Sequence, residues 1–492
     1  MTFAESPADI LARLTELRAA DAPTHGGHVL SYVYDSGLAE LDELAAQAIR
    51  MMQPVNGLDP TTFTSVAVME REVLGFARDM LHGDANVVGT VTTGGTESCL
   101  LAVKTARDVW EAQGRREGQA RPRLVAPVTV HAAFHKAAHY FGLDLDLVDV
   151  DHGGRARAED LIARFGPDVA LVVVSAPSYP HAALDPVAAV ARAAAELGIA
   201  CHVDACIGGW VLPFWDGVPE WDFRVEGVTS ISADAHKYGY APKGASVLLQ
   251  RGRDRQRAQY FSTTRWPGYP VINPTMLGSK SAAPLAASWA IIHALGADGF
   301  AELAASCQRS TRHLVELVRS IPGLTVVGEP VGPLFAVATD AAAPAHERVD
   351  PHHWADRARA HGWQLQLQPS LVQSDGSVLP ATTHLTITPV TESVLEPLSE
   401  ALVTAAAEVR GIPPVAPEQA LAGIPPELLA GVAEAGALDS ETAWAFLRQV
   451  GLGEGDELPR ELAPLLALVS ALPAPLVERL LTELLARLVE PR

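Results

Sequence analysis

The sequence predicts an α/β fold built around a mostly parallel sheet. Six apolar stretches have the length of strands and carry Val and Ile in continuous runs, which is typical of strands buried on both faces of such a sheet. They are RLVAPVTV, DLDLVDVD, ALVVVSAP, ACHVDACI, TSISADA and GASVLLQ. Longer amphipathic stretches lie between them, as expected for the crossover helices of βαβ units.

One of these intervening stretches carries signals for both helix ends. It reads LDPVAAVARAAAELG and covers residues 184–198. Asp185 is the predicted N-cap, because its side chain can accept the free N–H groups of a first turn. Gly198 is the predicted stop, because glycine adopts the left-handed conformation that follows many helices. We therefore expect a crossover helix between these two residues.

The chain divides into four predicted parts. At roughly 100–200 residues per domain, 492 residues suggest two or three domains. Residues 1–55 are predicted to form a helical segment and residues 56–293 a large α/β domain. Residues 294–410 are predicted to form a smaller α+β domain, with the helix ELAASCQRSTRHLVELVRS before the strands LTVVGE, PLFAVAT and THLTIT. Residues 411–492 read as a Pro- and Ala-rich linker followed by a helical appendage.

Composition excludes several classes of partner. The formal net charge is −21, whereas nucleic-acid binding depends on clustered Lys and Arg. No stretch of roughly 18 uncharged apolar residues is present, so no integral membrane segment is expected. The N-terminus carries acids within an amphipathic pattern, unlike a targeting peptide. We expect a soluble, cytoplasmic protein.

The cysteine pattern also favours a cytoplasmic location. Cys99, Cys201, Cys206 and Cys307 lie in apolar contexts, without a CxxC pair or a histidine spacing that suits zinc. They are expected to be buried free thiols in a reducing compartment. The sequence predicts no metal site.

A glycine-rich turn precedes a predicted helix in TTGGTESCLLAVKTAR, residues 92–107. Gly94 and Gly95 would let a ligand approach the backbone, and the N–H groups near Thr96 would favour an anion such as phosphate. The helix is expected to begin near Glu97. Taken alone, an ordinary turn with a helix cap explains the same residues.

An acid and a lysine follow further along the chain. Asp204 ends the buried strand of HVDACIGGWVLPF, where a carboxylate needs a cation or hydrogen-bond donors. Ligands of open α/β sheets gather at such strand ends. Lys237 lies in the loop SADAHKYGYAPKG, and a partly desolvated lysine with a lowered pKa is a good imine-forming nucleophile. Taken alone, Asp204 is equally well a helix N-cap and Lys237 a solvated loop residue.

Together the three features match a pyridoxal 5′-phosphate site. The glycine turn would hold the phosphate, and Asp204 would keep the pyridinium nitrogen protonated. Lys237 would hold the cofactor as a Schiff base and later move protons. His131, which ends the stretch RLVAPVTVH, is the predicted partner for the face of the ring. The sequence therefore predicts pyridoxal phosphate as the cofactor.

A family resemblance adds to this interpretation. The motifs GGTES, HAAFHKAAHYFG, HVDACIGGWVLPF and GVTSISADAHKYGYAPKGASVLL resemble, in order and spacing, those of the sphingosine-1-phosphate lyase family. That family belongs to the group II decarboxylase branch of fold-type I pyridoxal phosphate enzymes. The resemblance covers residues from about 28 to about 400. It implies a large domain with a mostly parallel seven-stranded sheet, and a homodimer whose active sites lie at the subunit interface.

The resemblance also implies roles for individual residues. Lys237 is implied as the Schiff-base lysine, Asp204 as the pyridinium partner and His131 as the residue stacked on the ring. The residues implied to contact the cofactor phosphate are Gly94, Gly95, Thr96 and His236, with Ser279 of NPTMLGSKSAAP reaching it from the other subunit. Lys280, Ser281 and Ala282 stand where the family commonly has arginine, proline and glycine, so this loop is a variant.

The substrate side departs from the family at one position. Tyr34, Asn56, Tyr179 and Lys243 resemble substrate-contacting residues. Where the family typically reads Asn-Pro-Leu-His, this chain reads NGLD, with Asp59 in place of the histidine. A carboxylate there would repel a substrate phosphate. The substrate phosphate would then lie elsewhere, or the substrate would lack one.

Three functions remain open at the level of sequence. The first is a carbon–carbon lyase that cleaves the Cα–Cβ bond of a β-hydroxy amine, phosphorylated or not, to an aldehyde and an amine. The second is an amino-acid α-decarboxylase, which uses the same cofactor and lysine but breaks a different bond. The third is a non-catalytic scaffold whose helical appendage carries the function. Retention of Lys237, Asp204 and His131 favours the two enzymes, and the motif match favours the lyase.

Overall fold

The computed structural model describes residues 4–114, 121–416, 419, 421, 438–452 and 461–491. In this part of the chain the α-helices are α1 (Pro7–Ala19), α2 (Ala39–Met52), α3 (Thr64–Met80), α4 (Gly95–Ala112), α5 (Ala132–Phe141), α6 (Ala158–Ile162), α7 (Val187–Glu196), α8 (Arg253–Gln259), α9 (Ala283–Ser320), α10 (Pro351–Ala360), α11 (Leu395–Val409), α12 (Ser440–Gln449), α13 (Ala463–Ala471) and α14 (Ala474–Leu488). The strands are β1 (Val87–Thr92), β2 (Arg123–Pro127), β3 (Asp144–Val148), β4 (Val169–Ser175), β5 (Ala200–Asp204), β6 (Val228–Ala233), β7 (Ser246–Arg251), β8 (Phe261–Thr263), β9 (Val271–Asn273), β10 (Leu324–Val326), β11 (Leu334–Thr339), β12 (Gln366–Gln368), β13 (Leu371–Val372), β14 (Val378–Leu379) and β15 (Thr382–Thr386).

A seven-stranded sheet forms the centre of the large domain, as predicted. Its order is β1-β7-β6-β5-β4-β2-β3, and β7 pairs antiparallel with both β1 and β6 while the other pairs are parallel. The six predicted strands are β2 to β7. Every residue of β4 and β5 is buried, which matches their continuous apolar sequence.

Strand β1 was not among the predicted strands. Its sequence, VVGTVT, contains Gly89 and runs directly into the glycine-rich turn, so it lacks a continuous apolar run. The glycine is required by packing rather than by a turn. A Cβ on Gly89 would lie 2.7 Å from the carbonyl oxygen of Leu248 on β7. The close approach of two strands explains the residue that weakened the strand signal.

Parallel pairing brings the ends of several strands to one edge of the sheet. Ser175 at the end of β4 pairs with Asp204 at the end of β5, and Asp204 pairs with Ser232 near the end of β6. Asp234 follows β6 directly. Polar groups from three neighbouring strands therefore meet at one place, where open α/β sheets bind ligands.

The predicted crossover helix is α7, and one of its two end signals is wrong. Gly198 has a φ of +66° just after the C-cap Leu197, so the predicted stop is confirmed. Asp185 does not cap the helix, which begins after Pro186 without a side-chain cap. The Asp185 carboxylate turns towards the sheet instead, where Oδ2 accepts the backbone N–H of Ser175 at 2.7 Å.

The smaller domain has a second core around an antiparallel sheet of order β10-β11-β15-β12. The long helix α9 connects the two cores, since Leu285 and Ile291 pack in the first and Leu314 in the second. Gly296 interrupts the helix with non-helical angles. The predicted boundary at residue 293 therefore falls inside α9 and stays a prediction.

The described C-terminal helices α12, α13 and α14 share an apolar cluster of their own. Asp356 of α10 links this cluster to the small domain, because its carboxylate accepts the backbone N–H groups of Leu462 and Ala463 at 2.9 and 2.8 Å. The predicted appendage is thus helical where it is described. Most of the predicted linker lies outside the described residues. Among the described helices, none has the length and apolar character needed to cross a bilayer.

Candidate active site

A cavity of about 650 Å³ opens at the carboxyl edge of the large sheet. It brings together most of the predicted site residues, although they are far apart in sequence. Those that line it are Tyr34, Gly94, Gly95, Thr96, His131, Tyr179, Asp204, His236 and Lys237. The ends of β1, β4, β5 and β6 and the starts of α4 and α5 therefore all contribute residues to this cavity.

The glycine turn forms one wall of the cavity. Helix α4 begins at Gly95, which leaves the first N–H groups of the helix available for an anion. A Cβ on Gly95 would lie 2.5 Å from Oδ2 of Asp234, so only glycine fits there without displacing that carboxylate. Glu97 fixes the turn by accepting the N–H and hydroxyl of Thr93 through Oε2, at 2.7 and 2.8 Å. This wall fits the phosphate of the predicted cofactor.

Asp204 lies at the end of β5 and is 7% exposed. Its Oδ1 accepts the N–H of Cys206 at 3.1 Å and the hydroxyl of Ser232 at 3.5 Å. Within the described residues, no hydrogen bond reaches its other oxygen, Oδ2. A carboxylate oxygen without a hydrogen-bond donor, on a buried residue beside a cavity, fits a protonated ring nitrogen.

Lys237 lies beside a carboxylate that the sequence prediction missed. Its Nζ is 3.0 Å from Oδ2 of Asp234, which is itself 1% exposed. Burial alone would lower the pKa of Lys237, but the Asp234 carboxylate outweighs it, and the pKa lies well above its ordinary value. Burial would likewise raise the pKa of Asp234, and Lys237 holds it below its ordinary value. The expectation of a lowered lysine pKa is therefore wrong, because a buried ion pair keeps the amine protonated.

Two histidines flank this pair. His131 is the N-cap of α5, and its Nδ1 accepts the backbone N–H of Ala133 at 3.1 Å, which places the ring hydrogen on Nε2. Nδ1 of His236 lies 2.8 Å from the carbonyl oxygen of Ala245, and its Nε2 lies 3.5 Å from Asp234. Both rings are held by backbone contacts and line the cavity.

Two of the predicted substrate residues also line the cavity. Burial raises the pKa of Tyr34 to about 12, so its hydroxyl stays protonated at neutral pH. Tyr179 stacks on His384, with ring centres 4.3 Å apart. Lys243 lies behind Tyr34, with Nζ 4.7 Å from the ring centre. Desolvation, and then the charge of Lys237, lower the pKa of Lys243 to about 8.

The remaining predicted residues lie outside the cavity of their own chain. Nδ2 of Asn56 donates to the hydroxyl of Ser279 at 3.3 Å, so these two predicted residues are neighbours. The Asp59 carboxylate accepts the N–H and hydroxyl groups of both Thr61 and Thr62. These bonds lower the pKa of Asp59 to about 2. Asp59 therefore closes a turn, and its substrate contact stays a prediction.

Several lining residues were not predicted. Asp234 precedes Lys237 by three residues, and an acid at the end of a buried strand was an available signal. Glu97 also joins the cavity to the loop before Ser279, because its Oε1 accepts the N–H of Met276 at 2.6 Å. No sequence pattern marks Tyr32, which is 67% exposed at the cavity mouth. The thiols of Cys99 and Cys206 form part of the floor.

Comparison with known proteins agrees with this geometry. Residues 43–336 match the model of the pyridoxal-dependent decarboxylase conserved domain. The chain belongs to the pyridoxal-dependent decarboxylase family. Its cofactor is accordingly pyridoxal 5′-phosphate, as the glycine turn and Asp204 suggested. Residues 417–487, which are described only in part, match a second model, that of a C-terminal putative HTH domain of pyridoxal-dependent enzymes.

Relatives within the family confirm the resemblance to sphingosine-1-phosphate lyases. Sphingosine-1-phosphate lyase of Dictyostelium discoideum is 36% identical over 335 residues, which are 67% of this chain and 61% of that protein. The structure of sphingosine-1-phosphate lyase Bpss2021 of Burkholderia pseudomallei is 30% identical, with a TM-score of 0.76, over 89% of this chain and 96% of that chain. A probable L-tyrosine/L-aspartate decarboxylase of Methanothrix thermoacetophila is 33% identical over 66% of this chain and 81% of that protein.

The coverage of the eukaryotic lyases is incomplete. The chain spans 61% of the Dictyostelium protein and 62% of sphingosine-1-phosphate lyase 1 of Rattus norvegicus. The family and the cofactor therefore follow from the comparisons, while the reaction and the substrate are matters for a proposal.

Proposed function

We propose that this chain is a pyridoxal phosphate-dependent carbon–carbon lyase. It would cleave the Cα–Cβ bond of a β-hydroxy amine, phosphorylated or not, to an aldehyde and an amine. The observation that carries the proposal is the single cavity that holds Lys237, Asp204, His131 and the glycine turn. The similarity to sphingosine-1-phosphate lyases in sequence and in structure supports this choice of reaction.

Residues that line the cavity would hold the cofactor. Lys237 would form the Schiff base with the cofactor, and Oδ2 of Asp204 would hold the proton on the ring nitrogen. His131 would lie against the ring, and the N–H groups of Gly95 and Thr96 would bind the phosphate. The unpaired Oδ2 and the exclusion of any side chain at position 95 support these assignments.

The bound cofactor supplies an electron sink for the bond that breaks at the substrate carbon. The chain's own groups orient that bond and move protons. The Lys237 amine, which lines the cavity, would move protons there. Tyr34 and Tyr179 would act as neutral donors to the substrate, since burial raises the pKa of both hydroxyls. Lys243, behind Tyr34, would attract the anionic end of the substrate.

An amino-acid decarboxylase is the second candidate. Asp59 stands where a histidine is typical of the lyases, and its carboxylate is ionised at neutral pH because its turn lowers its pKa. A phosphorylated substrate near it would be repelled. The similarity to the Methanothrix decarboxylase supports the same candidate. A non-catalytic scaffold is the third candidate. Failure of the purified chain to bind cofactor would support it.

The active unit would be a homodimer with shared sites. Ser279 lies outside the cavity of its own chain but only two residues after Leu277, which lines it. Helix α1 supports a partner surface, because it contains no buried residue although it carries four exposed apolar side chains, those of Ile10, Leu11, Leu14 and Leu17. An isolated helix of 13 residues is marginal in water. The cytoplasmic location expected from the sequence stays a prediction.

A product assay distinguishes the candidate reactions. The purified, cofactor-loaded protein would be incubated with a phosphorylated β-hydroxy amine, its unphosphorylated analogue, or a panel of amino acids. Mass spectrometry would detect an aldehyde and a shortened amine from a lyase, and amines that have lost CO₂ from a decarboxylase. We expect the aldehyde. Amines from the amino acids alone would replace the lyase by the decarboxylase, and Lys237→Ala is the control for cofactor-dependent turnover in both.

A further inference from the structure

Three groups capable of binding a metal ion meet on the floor of the cavity. They are the thiols of Cys99 and Cys206 and the carboxylate of Asp204. Their ligand atoms all lie within 4.8 Å of one another, and all three residues are buried. Cys99 is fixed by the first turns of α4, and Cys206 and Asp204 by the end of β5. The cluster therefore rests on rigid elements, although no cysteine spacing in the sequence indicated it.

The separation of the two sulfur atoms fits a bridging ion. Sγ of Cys99 lies 3.9 Å from Sγ of Cys206. Two thiolates bound to one tetrahedral zinc ion, at about 2.3 Å each, lie about 3.8 Å apart. A disulfide requires a separation of about 2.05 Å. An ion would thus fit between the sulfur atoms with little movement, whereas a disulfide would draw the two elements together.

The electrostatic surroundings also favour a cation. The charged groups that act on the thiols are the carboxylates of Asp204 and Asp234 and the ammonium of Lys237. Two acids against one base leave an excess of negative charge around the sulfur atoms. Without an ion, the contact between the two thiols lowers the pKa of Cys99, but burial outweighs it and that pKa is raised. The same contact and burial both raise the pKa of Cys206. Both sulfurs are therefore neutral until an ion displaces their protons.

We propose that the chain without cofactor binds one thiophilic divalent cation, of the class of Zn²⁺, through Cys99, Cys206 and Asp204, and that this ion and the cofactor exclude each other. Binding breaks two S–H bonds, forms two metal–sulfur bonds and releases two protons to solvent, with no change of oxidation state. Exclusion follows because the ion and the cofactor would both bind the carboxylate of Asp204 within the same cavity. The exclusion rests on the proposed function, whereas the metal site itself does not.

Direct binding to the cofactor-free chain tests the site first. Cd²⁺ is the spectroscopic probe, since its bonds to thiolates give an ultraviolet charge-transfer band, and Zn²⁺ is the competing ion. We expect a band that saturates at one ion per chain and that Zn²⁺ removes. Absence of a thiolate band in the wild-type chain would overturn the proposal without any variant.

Variants locate the ion. Cys99→Ala and Cys206→Ala should each weaken binding at this site at least about tenfold. Cys201→Ala and Cys307→Ala are matched controls, because these thiols are also buried but lie outside the cavity. The controls should keep the band. Equal binding by all four variants would place the ion elsewhere. Should either cavity variant fail to fold, the other variant and the wild-type band decide.

Competition with pyridoxal phosphate tests the exclusion. Loading the chain with cofactor should abolish the cadmium–thiolate band, and excess Zn²⁺ should slow the appearance of the visible cofactor band. Simultaneous binding of both would overturn the exclusion. A chain that binds Cd²⁺ through these thiols but never binds cofactor would refute the proposed function and leave the metal site standing. Loss of two hydrogen masses, reversed by a reductant, would show a disulfide in place of the ion.

Discussion

The Nζ of Lys237 lies 3.0 Å from Oδ2 of Asp234, a carboxylate that is 1% exposed. The same oxygen is the atom that a side chain at Gly95 would strike. Asp234 therefore lies between the glycine turn that would bind the phosphate and the lysine that would hold the cofactor aldehyde. The pair explains how a lysine is stabilised at the end of a buried strand before any ligand is present, since each charge offsets the desolvation of the other.

The first prediction concerns this pair and the capture of cofactor. Asp234→Asn removes the charge that raises the pKa of Lys237, so the neutral amine becomes available at lower pH. The rate at which the visible cofactor band appears should then rise with pH over a lower range than in the wild type. Stopped-flow absorbance across pH measures this. An unshifted profile, with the Asn variant folded, would mean that Asp234 does not control the lysine.

The second prediction concerns Asp204. Asp204→Ala should retain part of the bound cofactor, because the glycine turn and Lys237 remain, but should lose turnover by about 100-fold or more. The reason is that the ring nitrogen would no longer be held protonated. Turnover per bound cofactor, with cofactor measured by absorbance, is the quantity to compare. Asp204→Asn is the matched isosteric control and should be equally impaired. Unchanged turnover in either variant would contradict the assigned role.

The third prediction concerns the substituted position in NGLD. Asp59→His should raise kcat/KM on a phosphorylated β-hydroxy amine by about fivefold or more, because a repelling charge is exchanged for a possible partner. Asp59→Asn is the control for charge alone, since it keeps an acceptor for the turn formed with Thr61 and Thr62. It should give a smaller gain. If neither variant improves activity relative to the unphosphorylated analogue, position 59 is not near the substrate phosphate.

The fourth prediction concerns the stability of the cofactor-free chain. Burial raises the pKa of Asp185 from 3.8 to about 7. Its ionisation therefore opposes folding, and the free energy of unfolding should fall by about 4 kcal/mol as pH rises from about 4 to about 7. Asp185→Asn keeps an acceptor for the N–H of Ser175 but carries no charge.

The measurement for this prediction is the melting temperature of both chains at pH 5 and pH 8. The advantage of Asp185→Asn over the wild type should be larger at pH 8, where the wild-type carboxylate is ionised. An equal difference at the two pH values would show that the ionisation of Asp185 does not affect folding.

The parts of the fold that could be predicted from sequence are those that depend on local pattern. Strands β2 to β7 are continuous apolar runs, and burial on both faces produces that pattern directly. Strand β1 was missed because Gly89 serves a contact with β7, which only the folded sheet reveals. Asp185 was misassigned as a cap because its partner, Ser175, comes from a neighbouring strand. Local rules cannot anticipate bonds between elements.

The candidate site also has a part that could be predicted from the sequence and a part that could not. Gly95, Asp204 and Lys237 could be predicted as site residues because their residue types suit a phosphate, a ring nitrogen and an aldehyde. In the structure all three line one cavity. The electrostatic effects in the cavity could not be predicted from the sequence. The pKa of Lys237 depends on a distance to Asp234, and the pairing of Cys99 with Cys206 depends on the packing of α4 against the end of β5.

Locating the residue that carries the cofactor is the most direct test of the central claim. The cofactor-loaded protein would be reduced with borohydride, which fixes a Schiff base as a stable secondary amine, then digested and mapped by mass spectrometry. We expect the pyridoxyl group on Lys237, with the neighbouring Lys243 unmodified and the label absent from Lys237→Ala. A label on Lys243 or another lysine, or none at all, would contradict the assignment of this cavity as the active site.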